Sequence, residues 1–359
     1  MNRFEVLSWR HKAAYLVMTI LGMFLFLAIF AEGVVRIRSV LRHGSQTFRI
    51  EELYRLDPGT GLRIPVEGYN NGRIRINRLG FRGPEIALPK PPGVTRLAFL
   101  GASTTLCAEA SNNESTWPDL LVKRLGALRP GVVIDYVNGA VPGYGVTSSR
   151  RNLELRVAPL KPDIIVIYHA TNDLAGNSTV AAAARGIRMI RGEKDMSWFS
   201  RYSMLWYLVE KNLIILNRQR NAEDSQGKLD VSSSELAEPF RRELSELVSA
   251  AKKVAGTVVL VTFSVRLRAE QSAEQKRESA VSSLFYMPYF TPDSLIQHYA
   301  AYNDVIREVA RAQGGILIGG ENDIPGDGIH FVDTVHFTDA GNRRMSERVA
   351  NAMAGAGLF

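Results

Sequence analysis

A chain of 359 residues with 46% apolar side chains is long enough to bury one large core with extra elements, or two cores, which excludes general disorder. Its single cysteine, Cys107, excludes an internal disulfide framework and any multi-cysteine metal site. The net charge of +8 invites a nucleic-acid reading, yet residues 1–49 alone hold seven Arg and Lys against Glu5 and Glu32. The basic excess therefore flanks one hydrophobic segment instead of lining a groove, and nucleic acid is not expected as a partner.

That segment, Ala13–Ala31, is 19 residues without a charge, rich in Leu, Phe, Met and Ile. Such a run can cross a bilayer as a helix. Ile29–Phe30–Ala31 offers no small–x–small cleavage site, which favours an uncleaved signal anchor over a cleaved signal peptide. Flanking charge does not set the orientation. A short tail inside and a large exported domain is the economical topology, because long domains translocate largely regardless of charge. The expected division is a cytoplasmic tail at 1–12, a transmembrane anchor at 13–31, a juxtamembrane connector at 32–92 and a main domain at 93–359.

In the connector, Arg36–Arg49 is basic and can continue the membrane helix. Leu56–Pro92 is rich in Gly, Pro and Asn, and Gly72–Arg73–Ile74–Arg75–Ile76 alternates as a hairpin strand would. The main domain then alternates strands and helices. Leu97–Leu100 reads as the first buried strand. Trp117, Leu121, Leu125 and Leu128 mark a helix with Pro118 near its start and Pro130–Gly131 past its end. Val132–Val137 is the second strand, a polar helix lies near Ser148–Val157, and Ile164–Tyr168 is the third strand. Phe240, Leu244, Leu247, Val248 and Ala251 stripe the next helix, opened by Pro239 and closed by Gly256. Val258–Phe263 is the fourth strand. Leu295, Tyr299, Tyr302, Ile306 and Val309 define another helix, stopped by Gly314–Gly315. Ile316–Ile318 is a fifth strand and Arg343–Met353 a last helix.

This order implies an α/β fold, a flavodoxin-like three-layer α/β/α sandwich with a mostly five-stranded parallel sheet, preceded by the transmembrane helix. Ligands of such sheets bind beyond the carboxyl ends of the strands. Residues 174–236 interrupt the repeat. Their middle, Trp198–Leu216, is rich in aromatic and aliphatic side chains; their end, Asn217–Glu235, is polar and reads as mobile. A helix packed on the sheet and a lid over the site are both open for this insertion. Leu284–Phe290 either walls a cleft or belongs to the core.

Four blocks fall on the loops at the strand ends. Gly101–Ala102–Ser103 turns sharply after the first strand, so a serine Oγ projects from the strand's carboxyl end where helix N–H groups gather. Cys107, four residues on, reads as a small packed side chain. Asn138–Gly139–Ala140–Val141–Pro142–Gly143–Tyr144–Gly145 leaves the second strand, and its glycines let a backbone N–H approach a reacting oxygen. Ala170–Thr171–Asn172–Asp173 ends the third strand, where an amide can donate to an oxyanion or close its own loop. In Asp333–Thr334–Val335–His336 a carboxylate can accept from Nδ1 and leave Nε2 facing the serine as general base.

In this order the blocks resemble the SGNH hydrolases, the GDSL-like lipase and esterase superfamily, over roughly residues 93–359. Asn77–Arg78–Leu79–Gly80–Phe81–Arg82–Gly83–Pro84–Glu85 is similar to the lead-in of membrane-anchored bacterial members. The resemblance implies Ser103 as nucleophile, His336 as base oriented by Asp333, and the Ser103 N–H, Gly143 and Asn172 as oxyanion donors. Gly139 and Gly145 are the alternatives within their block. Two positions depart from the family pattern, Ala102 for an aspartate and Ala170 for a glycine; neither removes a reacting group. Asp327–Gly328–Ile329–His330 repeats the Asp-x-x-His spacing. Asp333/His336 is preferred because Phe337–Thr338 and Gly341 lead into the last helix and a strand-end turn should fix the imidazole better. His169 reads as a packed residue near the site.

The expectation is a serine esterase anchored in a bacterial cytoplasmic membrane, with its domain periplasmic or outside the cell. It would act on acyl esters, with O-acylated envelope or exported glycans as the substrate class, and need neither metal nor organic cofactor. Passing the acyl group to a sugar hydroxyl, and a non-catalytic role in envelope assembly, are the alternatives.

Overall fold

The computed structural model describes residues 8–43, 53–187, 196–225, 227 and 229–359. In chain order the elements begin with helix α1 (Trp9–His43), the short strands β1 (Tyr54–Leu56) and β2 (Arg63–Pro65), and strand β3 (Val94–Gly101). Helices α2 (Ser103–Leu106) and α3 (Trp117–Leu128), strand β4 (Val133–Asn138), helix α4 (Val146–Asn152) and strand β5 (Ile164–Tyr168) follow. Then come helices α5 (Thr171–Ala184), α6 (Met204–Ser225) and α7 (Ser233–Val254), and strand β6 (Thr257–Val261). Helices α8 (Ala273–Tyr286) and α9 (Pro292–Gln313), strand β7 (Ile316–Ile318) and helix α10 (Asp339–Gly355) complete the chain.

The chain divides into two compact units. One comprises Met1–Phe48 with Arg191–Leu216, the other Arg49–Ile190 with Asn217–Phe359. The first unit is built on α1, which is long and apolar enough to cross a membrane and whose apolar stretch is wholly uncovered. The helix runs past Ala31 to His43, as the basic stretch after the apolar run allows. The N-terminal part of α6 and a 3₁₀ turn at Trp198–Arg201 are its other described elements.

In the second unit, the described residues form a five-stranded parallel sheet in the order β4-β3-β5-β6-β7. The sheet's earliest strand in the chain, β3, is second in the sheet, the flavodoxin-like order. The chain therefore reverses direction around β3, which makes the carboxyl ends of β3 and β5 the switch point where a crevice opens. Register pairs Gly101 with Tyr168, so the loops after β3 and β5 leave the sheet side by side. Leu97–Leu100 and Ile165–Val166 are fully buried, as a sheet covered on both faces requires. Helix α3 packs on α10, while α7 packs on α4, α5 and α9. With this strand order, the right-handed rule puts the β3–β4 connection, which holds α3, on the opposite face from the connections after β4, β5 and β6.

Some elements differ from the sequence reading. Helix α7 opens at Ser233, not at Pro239, because the Ser232 hydroxyl accepts from the Glu235 N–H and caps it earlier. Pro239 sits inside the helix, where it forgoes one N–H bond. Helix α10 likewise starts before Arg343, at Asp339, with Thr338 as cap. The Gly72–Ile76 stretch makes isolated bridges, Asn70 with Arg75 and Ile76 with Arg82, whereas the antiparallel ladder is β1 with β2. Leu174–Ala184 belongs to α5; of Asn217–Glu235, which reads as mobile in the sequence, Asn217–Ser225 continues α6, Ser233–Glu235 opens α7, and residues 226 and 228 lie outside the described residues. Of the Leu284–Phe290 run, Met287, Tyr289 and Phe290 are core while Tyr286 is exposed.

Candidate active site

Ser103 opens α2, a single turn of helix that could not hold its shape alone. Its backbone closes through the Cys107 N–H to the Ser103 carbonyl, 2.8 Å, with Cys107 in the left-handed region at φ 59°. The remaining carbonyls of the turn are taken up by three side chains from three segments. Trp117 Nε1 donates to Thr104 O (3.1 Å), Asn138 Nδ2 to Thr105 O (3.0 Å), and Arg82 to both Leu106 O (2.8 Å) and Cys107 O (2.6 Å). Orphan carbonyls at a helix end need such partners when buried. Gly101 just before the turn has no alternative: a Cβ there would collide with the Thr105 side chain. The Cys107 thiol is buried, which pushes its pKa up to about 12 and leaves it inert.

The structure brings Ser103, His336 and Asp333 into one hydrogen-bonded line. Asp333 Oδ1 accepts from the Val335 (2.8 Å) and His336 (2.9 Å) N–H groups, and Oδ2 lies 2.8 Å from His336 Nδ1. His336 Nε2 is 2.8 Å from Ser103 Oγ. An ionised carboxylate can only accept, so Nδ1 carries the proton and Nε2 is left to accept from the serine hydroxyl. Burial works against the imidazolium, but the Asp333 hydrogen bond and charge, with Glu109 adding to them, raise the His336 pKa above its ordinary value. Burial also works against the Asp333 carboxylate, yet bonding to His336 holds its pKa below the usual range.

Asp327 and His330 form the same turn, with Asp327 Oδ1 accepting from the His330 N–H (2.9 Å) and lying 2.8 Å from His330 Nδ1. The strand-end turn is therefore not what distinguishes the two pairs, since both imidazoles are equally fixed. His336 differs in reaching Ser103.

The second and third blocks are brought together at the same sheet edge. Gly139 spends its N–H on Phe99 O (2.9 Å) and Val141 its own on Gly101 O (3.3 Å), so the glycine loop runs along the end of β3. Gly143 stands at φ +82°, which glycine adopts without strain, and its N–H donates to no acceptor among the described residues. Asn172 Nδ2 donates to Tyr144 O (2.9 Å), which uses one of its two N–H groups. Asp173 accepts from the Val146 N–H (2.8 Å), and a Cβ on Gly145 would meet its Oδ1 at 2.6 Å. Desolvation raises the Asp173 pKa to about 7, and burial drops that of His169, which bonds Ser149 Oγ at 2.8 Å, to about 3. Ala170 sits at φ −170°, extended backbone open to any residue, so alanine fits where the family pattern has glycine.

Sequence reasoning missed the supporting residues. Arg82 was visible only as part of the lead-in segment. In the structure its guanidinium is buried, bonded to Asn113 Oδ1 (2.9 Å) and Arg73 O (3.1 Å) besides the end of α2. Arg73 in turn donates to Glu109 O and Ala110 O, both at 3.1 Å. The segment from Asn70 to Pro84 is thus wired to the loop after Ser103. Among the described residues, no group of three or more His, Cys, Asp or Glu is placed to hold a metal ion.

A profile of the GDSL-like Lipase/Acylhydrolase family matches residues 99–344, a stretch that contains all four blocks. No protein of curated function matches the chain. Among solved structures, an acetylxylan esterase from Geobacillus stearothermophilus is 16% identical, with a TM-score of 0.43 over 72% of this chain and 94% of its own. An α/β hydrolase from the metagenome of Lake Arreo, Spain, is 17% identical, with a TM-score of 0.42 over 73% of this chain and 95% of that one. A lipase/acylhydrolase from Enterococcus faecalis is 14% identical, with a TM-score of 0.42 over 73% of this chain and 96% of that one.

Proposed function

This chain belongs to the GDSL-like Lipase/Acylhydrolase family, and we propose that it is a membrane-anchored serine esterase that removes O-acyl groups from envelope or exported glycans. The observation that carries the chemistry is the unbroken Asp333–His336–Ser103 line at the switch point of the sheet. Ser103 Oγ attacks the ester carbonyl while His336 Nε2 takes its proton, and Asp333 stabilises the imidazolium that forms. The tetrahedral oxyanion is received by the Ser103 N–H at the start of α2, the Gly143 N–H and the second Asn172 N–H. His336 then returns the proton to the leaving alcohol. Water, activated by the same imidazole, releases the acid from the acyl-enzyme.

The apolar helix supports the anchoring, and the proposed orientation places the catalytic unit outside a bacterial cytoplasmic membrane, in the periplasm or beyond. That location, where acylated glycans are assembled and trimmed, is the ground for the substrate class.

The pH dependence tests the base. His336 works only when neutral, and its raised pKa moves the loss of activity on acidification to higher pH. The acid limb of kcat/KM on a p-nitrophenyl ester should therefore turn above the ordinary histidine value of 6.5. Asp333→Asn removes the charge that favours the imidazolium, so the limb should move to lower pH while kcat falls by roughly 10⁴-fold. A wild-type limb below the ordinary value, or one that Asp333→Asn leaves in place, overturns the assignment of His336 as base.

A further inference from the structure

Glu32 is the first charge after the Ala13–Ala31 run, and it is fully engaged by the chain around residue 204. Its carboxylate accepts from Ser203 Oγ (2.8 Å), the Met204 N–H (2.9 Å), the Leu205 N–H (2.8 Å) and Arg36 Nε (2.7 Å). Arg36 also donates to Tyr202 O at 3.0 Å. A carboxylate from one helix thus caps the N-terminus of another, satisfying its first N–H groups and complementing its dipole. The 19-residue run before Glu32 rises about 28 Å at 1.5 Å per residue, close to the thickness of a bilayer's hydrocarbon core. The start of α6 is therefore pinned at the depth where that core ends.

What stands at this depth is aromatic and uncovered. Trp198, Phe199 and Tyr202 form one cluster, with ring centroids 4.3 Å apart for Trp198–Phe199 and 5.9 Å for Trp198–Tyr202. Trp198 is 64% exposed and Tyr202 70%. Along α6 the exposed apolar residues Trp206, Val209, Leu213 and Leu216 recur at helical spacing and make one stripe. The turn and the helix are joined by hydrogen bonds, since Glu210 accepts from the Ser197 N–H (2.7 Å) and from the Ser197 and Ser200 hydroxyls, and Trp206 Nε1 donates to Ser197 Oγ (2.8 Å). Arg36 and Arg38 are exposed on α1 within six residues of Glu32, where lipid phosphates would lie.

We infer that Trp198–Leu216 is an interfacial element that seats in the headgroup layer of the bilayer crossed by α1, with the Trp198 cluster and the Trp206–Leu216 stripe as its lipid-facing surface. Rings of this kind, apolar in body and polar at one edge, favour that layer, and an exposed apolar stripe on a helix is the surface such an element turns to lipid. The inference rests on the reading of α1 as a membrane anchor.

Depth-resolved quenching tests it in the full chain, reconstituted in phosphatidylcholine–phosphatidylglycerol vesicles. Single cysteines carrying a nitrobenzoxadiazole label replace Phe24, Trp198, Lys211 and Leu213 in turn. Buried Cys107, with its raised pKa, does not compete for the label. Labels at Trp198→Cys and Leu213→Cys should be quenched several-fold more by lipid with the spin label near the headgroup than near the tail end. The label at Phe24→Cys should show the reverse preference. The label at Lys211→Cys, on the opposite side of α6 from the stripe, should be quenched by neither. Quenching at Phe24 with none at Trp198 and Leu213 overturns the interfacial element and leaves the anchor standing. No quenching at Phe24 overturns the anchor, and the inference with it. Self-quenching that follows protein density instead of spin-labelled lipid points to a second copy. A response to fluorophosphonate at Ser103 without lipid points to a lid. Either of these overturns the inference.

Discussion

His336→Ala should lower kcat for ester hydrolysis by roughly 10⁴- to 10⁶-fold, while His330→Ala should stay within a fewfold of the unmodified chain. Both imidazoles are held by an Asp three residues earlier, through the same turn and at the same 2.8 Å. The turn alone therefore does not separate them; what the side chain reaches does. His336 Nε2 meets Ser103 Oγ; the described contacts of the His330 side chain end at Asp327. Under the proposed mechanism, loss of the base would leave a neutral hydroxyl as nucleophile and no acid for the leaving alcohol, so both half-reactions would fail. A packing defect in a folded enzyme does not reach that size. Steady-state kinetics on a p-nitrophenyl ester, with melting curves to show that both variants fold, decide the matter. An inactive His330→Ala beside an active His336→Ala would reverse the assignment.

Asn172→Ala should lower kcat by about 100- to 1000-fold, the 2.7–4 kcal/mol that one oxyanion donor supplies. KM should barely move, because a ground-state carbonyl gains little from that donor. Beside the proposed oxyanion role, the side chain has an observed one, as one of its N–H groups holds Tyr144 O, next to Gly143. Alanine therefore also costs about 1 kcal/mol of stability, the net worth of one such hydrogen bond. The two tasks leave different signatures. A purely loop-shaping Asn172 would disturb KM and the melting temperature together and reduce kcat only modestly. A kcat within a fewfold of the unmodified chain ends its assignment as oxyanion donor.

The strand ends and the blocks that follow them were legible in the sequence because both obey short-range rules. Leu97–Leu100 and Ile164–Tyr168 are apolar runs of strand length, and a parallel sheet sends their loops to one edge. The Asp-x-x-His spacing was equally legible, yet it gave two answers, since a four-residue turn carries no information about which serine lies across from it. Pro239 misled for a related reason. Proline marks a helix's first turns in general, and the Ser232 cap that fixed the true start was weaker as a signal. Arg82 and Trp117 were out of reach as parts of the site. Their roles consist of tertiary hydrogen bonds to the carbonyls of α2, and nothing in the local pattern marks an arginine that will be buried against backbone oxygens. The wiring of Glu32 to residues 203–205 spans about half the chain and was hidden in the same way.

Fluorophosphonate labelling of the full chain, mapped by peptide mass, tests Ser103 as the activated nucleophile most directly. One phosphonyl group should appear on the peptide that carries Ser103. It should be absent in Ser103→Ala, and its rate of attachment should collapse in His336→Ala with little change in His330→Ala. Labelling that persists in Ser103→Ala, or an unmodified chain that hydrolyses esters yet never takes the label at Ser103, would contradict the mechanism.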